Sequence, residues 1–152
     1  MTIFSKKTDQ SGRSMVEMLG VLAIIGVLSV GGISGYSKAM AKFKLTKAQD
    51  QITMLLMNIR TAYATSPSYD GLDTETAAAY NLAPNEMVIG EEGSRTLNGT
   101  FGGAVEVAAI EDHETYFYIT MRALGKEACR SLATSDWGAD GLVSITIQPD
   151  NG

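Results

Sequence analysis

The chain has 152 residues, is 45% hydrophobic and carries a formal net charge of −5, a length that suits one domain plus one extra feature. One cysteine and one histidine exclude an intramolecular disulfide and leave zinc or iron chemistry almost no ligands. Charge is unevenly placed: residues 1–65 hold eight Lys/Arg and three Asp/Glu, residues 66–152 four and fourteen, so the acidic C-terminal part repels phosphate backbones and no nucleic-acid partner is expected.

Residues 1–12, "MTIFSKKTDQSG", are short and polar, with Lys6 and Lys7, and read as a charged leader that stands apart from the fold. An apolar run follows. From residue 18 to residue 36 there is no charge for 19 residues, and the only charge between residues 15 and 36 is Glu17. A helix of about 20 apolar residues spans a bilayer, so this run is long enough. Glu17 is then an anomaly. An acid in lipid costs on the order of +2.5–3.5 kcal/mol at the bilayer centre and less near the surface. It calls for a compensating partner, or else for a position among the headgroups.

"SKAMAKFKLTKAQDQITMLLMNIRTAYA" then turns amphipathic. Ala39, Phe43, Ala48, Ile52, Leu55, Leu56, Ile59, Ala62 and Tyr63 recur at spacings near three and four, while Lys38, Lys42, Lys47 and Asp50 fall largely elsewhere. No proline interrupts residues 13–66. The pattern predicts one helix of roughly 50 residues, with residues 13–36 in the membrane and residues 37–65 packed on a head formed by residues 66–152. Gly31, Gly32 and Gly35 lie inside it, each costing about 1 kcal/mol relative to Ala. "GGISG" is therefore a weak point apt to bend or melt. Gly31 and Gly35 also have the G-x-x-x-G spacing of close helix contacts, although membrane helices are in any case rich in glycine.

"TSPSYDG", residues 65–71, ends the helix with proline and glycine punctuation. "DTETAAAYNL" reads as a short helix capped by Asp73 or Thr74 and closed by Pro84. "EEGSRTLNG", residues 91–99, reads as loop with a tight turn at Asn98-Gly99. Residues 103–110 and 115–123 form two strand-like runs joined by residues 111–114 as a hairpin. "GKEACRSLAT" is a short helix, and "LVSITIQ", residues 142–148, alternates as a final strand. The expected fold is α+β, a long N-terminal helix packed on a small antiparallel sheet.

Gly12, then "RSMVEML" and an uninterrupted apolar stretch, resembles the class III signal of type IV pilins and pseudopilins. "SYDGL", "FGGAVEV", "YFYITMRAL" and "EACRSLA" look like the corresponding stretches of type IVb pilins, in that order. The resemblance implies cleavage by a membrane aspartyl prepilin peptidase between Gly12 and Arg13, N-methylation of Arg13, and a role in assembly for Glu17, which becomes the fifth mature residue. It implies a homo-oligomeric helical filament built by pilus assembly machinery, inner-membrane lipid as the surroundings before assembly, and an extracellular fibre afterwards. This chain departs from the family's pattern in three places. Arg13 stands where the family usually carries an apolar residue. Cys129 has no partner, where related pilins close a C-terminal loop with a disulfide. "GGISG" stands where many pilins have a helix-breaking proline.

The same architecture also fits a type II secretion pseudopilin. Major pseudopilins tend to bind calcium, but Glu91, Glu92, Glu111, Asp112 and Glu114 lack the D-x-D-x-D-G pattern of a calcium loop. A secreted or signal-anchored domain of other function is a further alternative, since Ala39 and Ala41 offer a small-x-small cleavage site. An anchored enzyme would have to use His113, placed in an exposed turn, and Cys129, whose expected state is a buried free thiol; the pair fits no catalytic signature. No catalytic residue, metal site or cofactor is expected.

Overall fold

The computed structural model describes residues 11–138 and 141–149, with side chains from residue 14 onward. Residues 1–10 of the polar leader lie outside the described residues. The chain divides into two units, Met1–Ala41 and Lys42–Gly152.

Helix α1 spans Ser11–Ala62 and is unbroken through Gly31, Gly32 and Gly35. In the first unit it has no buried face. Leu22, Ile25 and Ile33 are 61%, 51% and 68% exposed, and the helix is long and apolar enough to cross a membrane. From Lys42 on the same helix is one-sided. Ala48, Ile52, Leu55 and Ile59 are buried, while Phe43, Met54 and Met57 are exposed. This buried set, at 4-3-4 spacing, is narrower than the apolar set read from the sequence, since Phe43 is 61% exposed and Ala39 and Ala62 are exposed as well.

After α1 comes α2, Thr74–Ala79, with Asp73 Oδ1 accepting from Thr76 N–H at 2.6 Å as its N-cap. A 3-10 turn, Asn85–Met87, leads into β1, Val88–Ile89; β2 is Thr96–Asn98, β3 Ala104–Ile110 and β4 His113–Met121. The sheet is antiparallel in the order β1-β2-β3-β4. Helix α3, Lys126–Ala133, follows. The core joins Ile52, Leu55 and Ile59 of α1 to Leu97, Val105 and Val107 of the sheet. Fully burying such side chains stabilises by about 1.5–3 kcal/mol each.

The structure corrects four details of the sequence reading. Residues 96–98, read as loop, are β2, because Leu97 is fully buried and pairs with Val88 and Val105. The turn after Asn98 is not a two-residue one: Gly102 N–H donates to Gly99 O and Gly99 N–H donates to Gly103 O, both at 2.9 Å, closing a longer loop. The β3–β4 connection is shorter than residues 111–114, since His113 already pairs with Ile110 across an irregularity at Ala109/Ile110. Residues 142–148 are not a strand. Alternation supplies a pleated surface, but a strand also needs a neighbour for its backbone groups, and this segment has none among the described residues.

Beyond the short β2, β3 finds other partners. Thr74 Oγ1 accepts from Val107 N–H at 3.0 Å, and Leu72 O accepts from Ala109 N–H at 3.0 Å. The start of α2 thus closes a sheet edge that would otherwise leave buried donors unpaired.

Candidate functional site

The chemistry-bearing residues of the first unit lie along α1. The backbones of Gly12 and Arg13 are helical, and Arg13 precedes Glu17 by four residues, about one turn of about 5.4 Å. Glu17 is exposed, and among the described residues it has neither a hydrogen bond nor an ion pair. Its carboxylate sits in a surface of exposed Met15, Val16, Met18 and Leu19.

Gly31, Gly32 and Gly35 are equally unexplained from inside. A Cβ added at any of them would meet nothing within 4 Å. Two serines flank them. Ser29 Oγ donates to Ile25 O at 2.7 Å and Ser37 Oγ donates to Ile33 O at 3.0 Å. Such bonds to the carbonyl four residues back satisfy a hydroxyl where no water is available, and they often bend helices. Both serines escaped the sequence reading; their signal was a hydroxyl residue recurring inside an otherwise apolar run.

The second unit carries a polar clamp that the sequence did not disclose. Gln51 of α1 is 6% exposed. Its amide nitrogen donates to Glu86 Oε1 at 2.6 Å, and its amide oxygen accepts from Thr100 Oγ1 at 2.6 Å. Lys47 Nζ adds an ion pair to Glu86 Oε2 at 3.0 Å, and Asn58 Nδ2 donates to Leu82 O at 2.8 Å. The Gln51 amide, followed by Lys47, holds the Glu86 carboxyl below its ordinary range. Nearby, Tyr63, Tyr69 and Phe117 form a chain of rings with centroids 5.4 and 4.7 Å apart. Burial, and then the Asp73 and Asp70 carboxylates, push the Tyr63 phenol up.

The residues weighed as a catalytic pair do not meet. His113 opens β4, exposed, edge-on to Tyr116 at 6.4 Å. Cys129 lies on α3 as a partly exposed free thiol, less covered than expected. Among the described residues no three His, Cys, Asp or Glu side chains gather as a metal site.

Comparison with known proteins adds three findings. The family model described as PilS N terminal matches residues 42–151. The chain is 27% identical to the major structural subunit of bundle-forming pilus of Escherichia coli O111:H-, over 98% of this chain and 77% of that protein. It is 27% identical to the toxin coregulated pilin of Vibrio cholerae serotype O1, over 86% of this chain and 59% of that protein. No solved structure matches at a comparable level.

Proposed function

The chain belongs to the PilS N-terminal family of pilins, and from that premise we propose that it is a structural subunit of a type IVb-like pilus, polymerised through α1. The observation that carries this reading is an all-round exposed apolar helix that holds one carboxylate, Glu17, with no ion pair among the described residues. An apolar surface of that length has to be covered by lipid or by other helices. Lipid covers it before assembly, with the head in the periplasm; helices of neighbouring subunits cover it in the fibre outside the cell.

Glu17 selects among ways of packing. Cleavage after Gly12 by a prepilin peptidase creates a new α-amino group on Arg13, protonated at neutral pH because its ordinary pKa is about 8. That amine, N-methylated or not, is the partner this reading gives to Glu17. A carboxylate buried among apolar helices is tolerable when paired with a cation and costly when alone. The pair forms only in a processed chain, so processing gates assembly and the contact sets axial register. Gly31, Gly32 and Gly35 serve close approach or local bending of the bundled helices. The protein is a substrate of the peptidase and a building block for the assembly machinery, and no chemistry is assigned to its head.

The test uses two variants in piliated cells. With Glu17→Ala, mass spectrometry of the native product gives a chain starting at Arg13, and electron microscopy finds no filaments; normal filaments would remove the pairing role. With Gly12→Ala the chain stays at precursor length. A mature-length product from that variant would place cleavage elsewhere.

A further inference from the structure

The apolar surface of α1 has a sharp end. It runs to Tyr36, 67% exposed, and within the next eight residues come Lys38, Lys42 and Lys44, all exposed. Residues 15–36 rise about 32 Å at about 1.5 Å per residue, and the hydrocarbon layer of a bilayer is about 30 Å thick. With the apolar run in that layer, Tyr36 and the three lysines reach the headgroup level on the head side. A tyrosine at that depth keeps its ring at the acyl boundary and its hydroxyl in water. A lysine lays its stem along the apolar surface and lifts its ammonium out.

These ammonium groups have no anion close by in sequence. Residues 18–49 contain no Asp or Glu. Lys47, the next lysine, is paired with Glu86 at 3.0 Å, whereas Lys38, Lys42 and Lys44 have no ion pair among the described residues. They are conspicuous in a chain of net charge −5. Lysines on the head side also work against carrying the head across the membrane, because positive flanks favour the cytoplasmic side. A contact that uses their charge offsets that cost.

We propose that Lys38, Lys42 and Lys44 form a collar that binds the phosphates of acidic phospholipid headgroups while the subunit waits in the membrane. The proposal rests on the reading of α1 as a membrane anchor before assembly, and it names the lipid class that the anchor takes.

Helical geometry favours lipid over a protein partner. Lys38 precedes Lys42 by four residues, about one turn, whereas Lys42 and Lys44 are two residues apart and lie on nearly opposite sides of the helix. A docked protein covers one side of a helix, while headgroups surround it. Sign selects the class of lipid. A zwitterionic headgroup balances its own phosphate, whereas an acidic one leaves it unbalanced, and each lysine near such a surface adds an attraction that salt screens. The consequence is a fixed depth. Cleavage after Gly12 takes Lys6 and Lys7 away with the leader, and the collar then holds Tyr36 at the surface until the helix is drawn out for assembly.

The test uses the full-length chain reconstituted into phosphatidylcholine vesicles with a trace of spin-labelled phosphatidylglycerol or spin-labelled phosphatidylcholine. Electron spin resonance reads the share of each probe held at the protein surface. At low salt the chain holds the glycerol probe over the choline probe by about threefold or more. Replacing all three lysines by Lys38→Gln, Lys42→Gln and Lys44→Gln lowers that preference by at least about twofold, with the head's melting temperature unchanged. The corresponding Lys→Arg chain keeps it, because the charge is kept. Sodium chloride brings the unsubstituted chain towards the Gln form. An equal preference in the unsubstituted and Gln chains overturns the proposal, and so does its loss in the Arg chain. Inorganic phosphate that competes more strongly than chloride at equal ionic strength would assign the lysines to free phosphate and also overturns it. A Gln chain with unchanged lipid preference but no filaments would give the lysines to carboxylates of a neighbouring head, again against the proposal. A chain that enters vesicles without preferring either probe overturns the collar alone. A chain that enters no vesicle overturns the anchor reading, and the collar with it.

Discussion

Leu22 and Leu55 belong to one helix and are chemically identical, yet Leu22 is 61% exposed and Leu55 is fully buried. Helical geometry is common to both. What differs is where the partner surface comes from. Around Leu55 the chain carries its own, in Leu97, Val105 and Val107. Around Leu22 none is present among the described residues, and the proposed reading supplies it as lipid or as helices of neighbouring subunits. The glycines divide in the same way. A Cβ on Gly103 would lie 1.9 Å from Arg122 O, where the start of β3 meets the end of β4, while a Cβ on Gly31 would meet nothing. Gly103 answers a demand inside the chain; the described residues place no such demand on Gly31.

That contrast is broken most sharply by truncating the two leucines. Leu55→Ala removes a fully buried side chain from the core and lowers the stability of the head by about 2–5 kcal/mol, read by thermal unfolding of the full chain in detergent. Leu22→Ala leaves that transition where it was. Equal shifts from both would mean that residues 14–36 are packed by the chain itself. The glycine pair is the next test. Gly103→Ala forces apart two backbones that cannot both stay, costing about 1–3 kcal/mol or more. Gly31→Ala strengthens the local helix by about 1 kcal/mol and leaves the melting temperature of the head unaltered, so a filament defect in that variant reports on contacts between subunits.

How much of this was legible in the sequence follows from the same division. Periodicity located α1 and a broad apolar set whose members Ala48, Ile52, Leu55 and Ile59 are buried; it could not separate these from Phe43, Ala39 and Ala62, which are exposed because no partner surface reaches them among the described residues. The Asp73 cap was legible because it acts within one turn. The three-residue β2 was not. It is a strand only because Val88 and Val105 lie on either side of Leu97, and that pairing is not local. Residues 142–148 show the reverse error, a strand pattern with no paired neighbour among the described residues. The clamp escaped for a third reason: Gln51, Glu86 and Thr100 lie 35 and 49 residues apart, and none of them differs in type from an ordinary surface residue.

The clamp gives the two smaller effects. Gln51→Ala takes the partner from both Glu86 and Thr100 and, because the amide is buried, costs about 1–3 kcal/mol. The smallest effect is that of Glu86→Gln, since Glu86 is half-exposed, at 49%, and pairs with Lys47 at 39%, where water and salt screen an ion pair. Its signature is pH dependence. The folded state holds the Glu86 carboxyl below its ordinary range, so the unfolded chain takes up a proton first as pH falls. The stability this contributes is complete above the unfolded carboxylate range and is lost as pH falls through that range and then through the lower folded value. Glu86→Gln therefore melts below the unsubstituted chain at pH 7, and the gap closes on acidification. A gap that stays constant from pH 7 down to pH 3 would mean that Glu86 acts through hydrogen bonding that Gln reproduces at neither pH, and that its charge contributes nothing to the clamp.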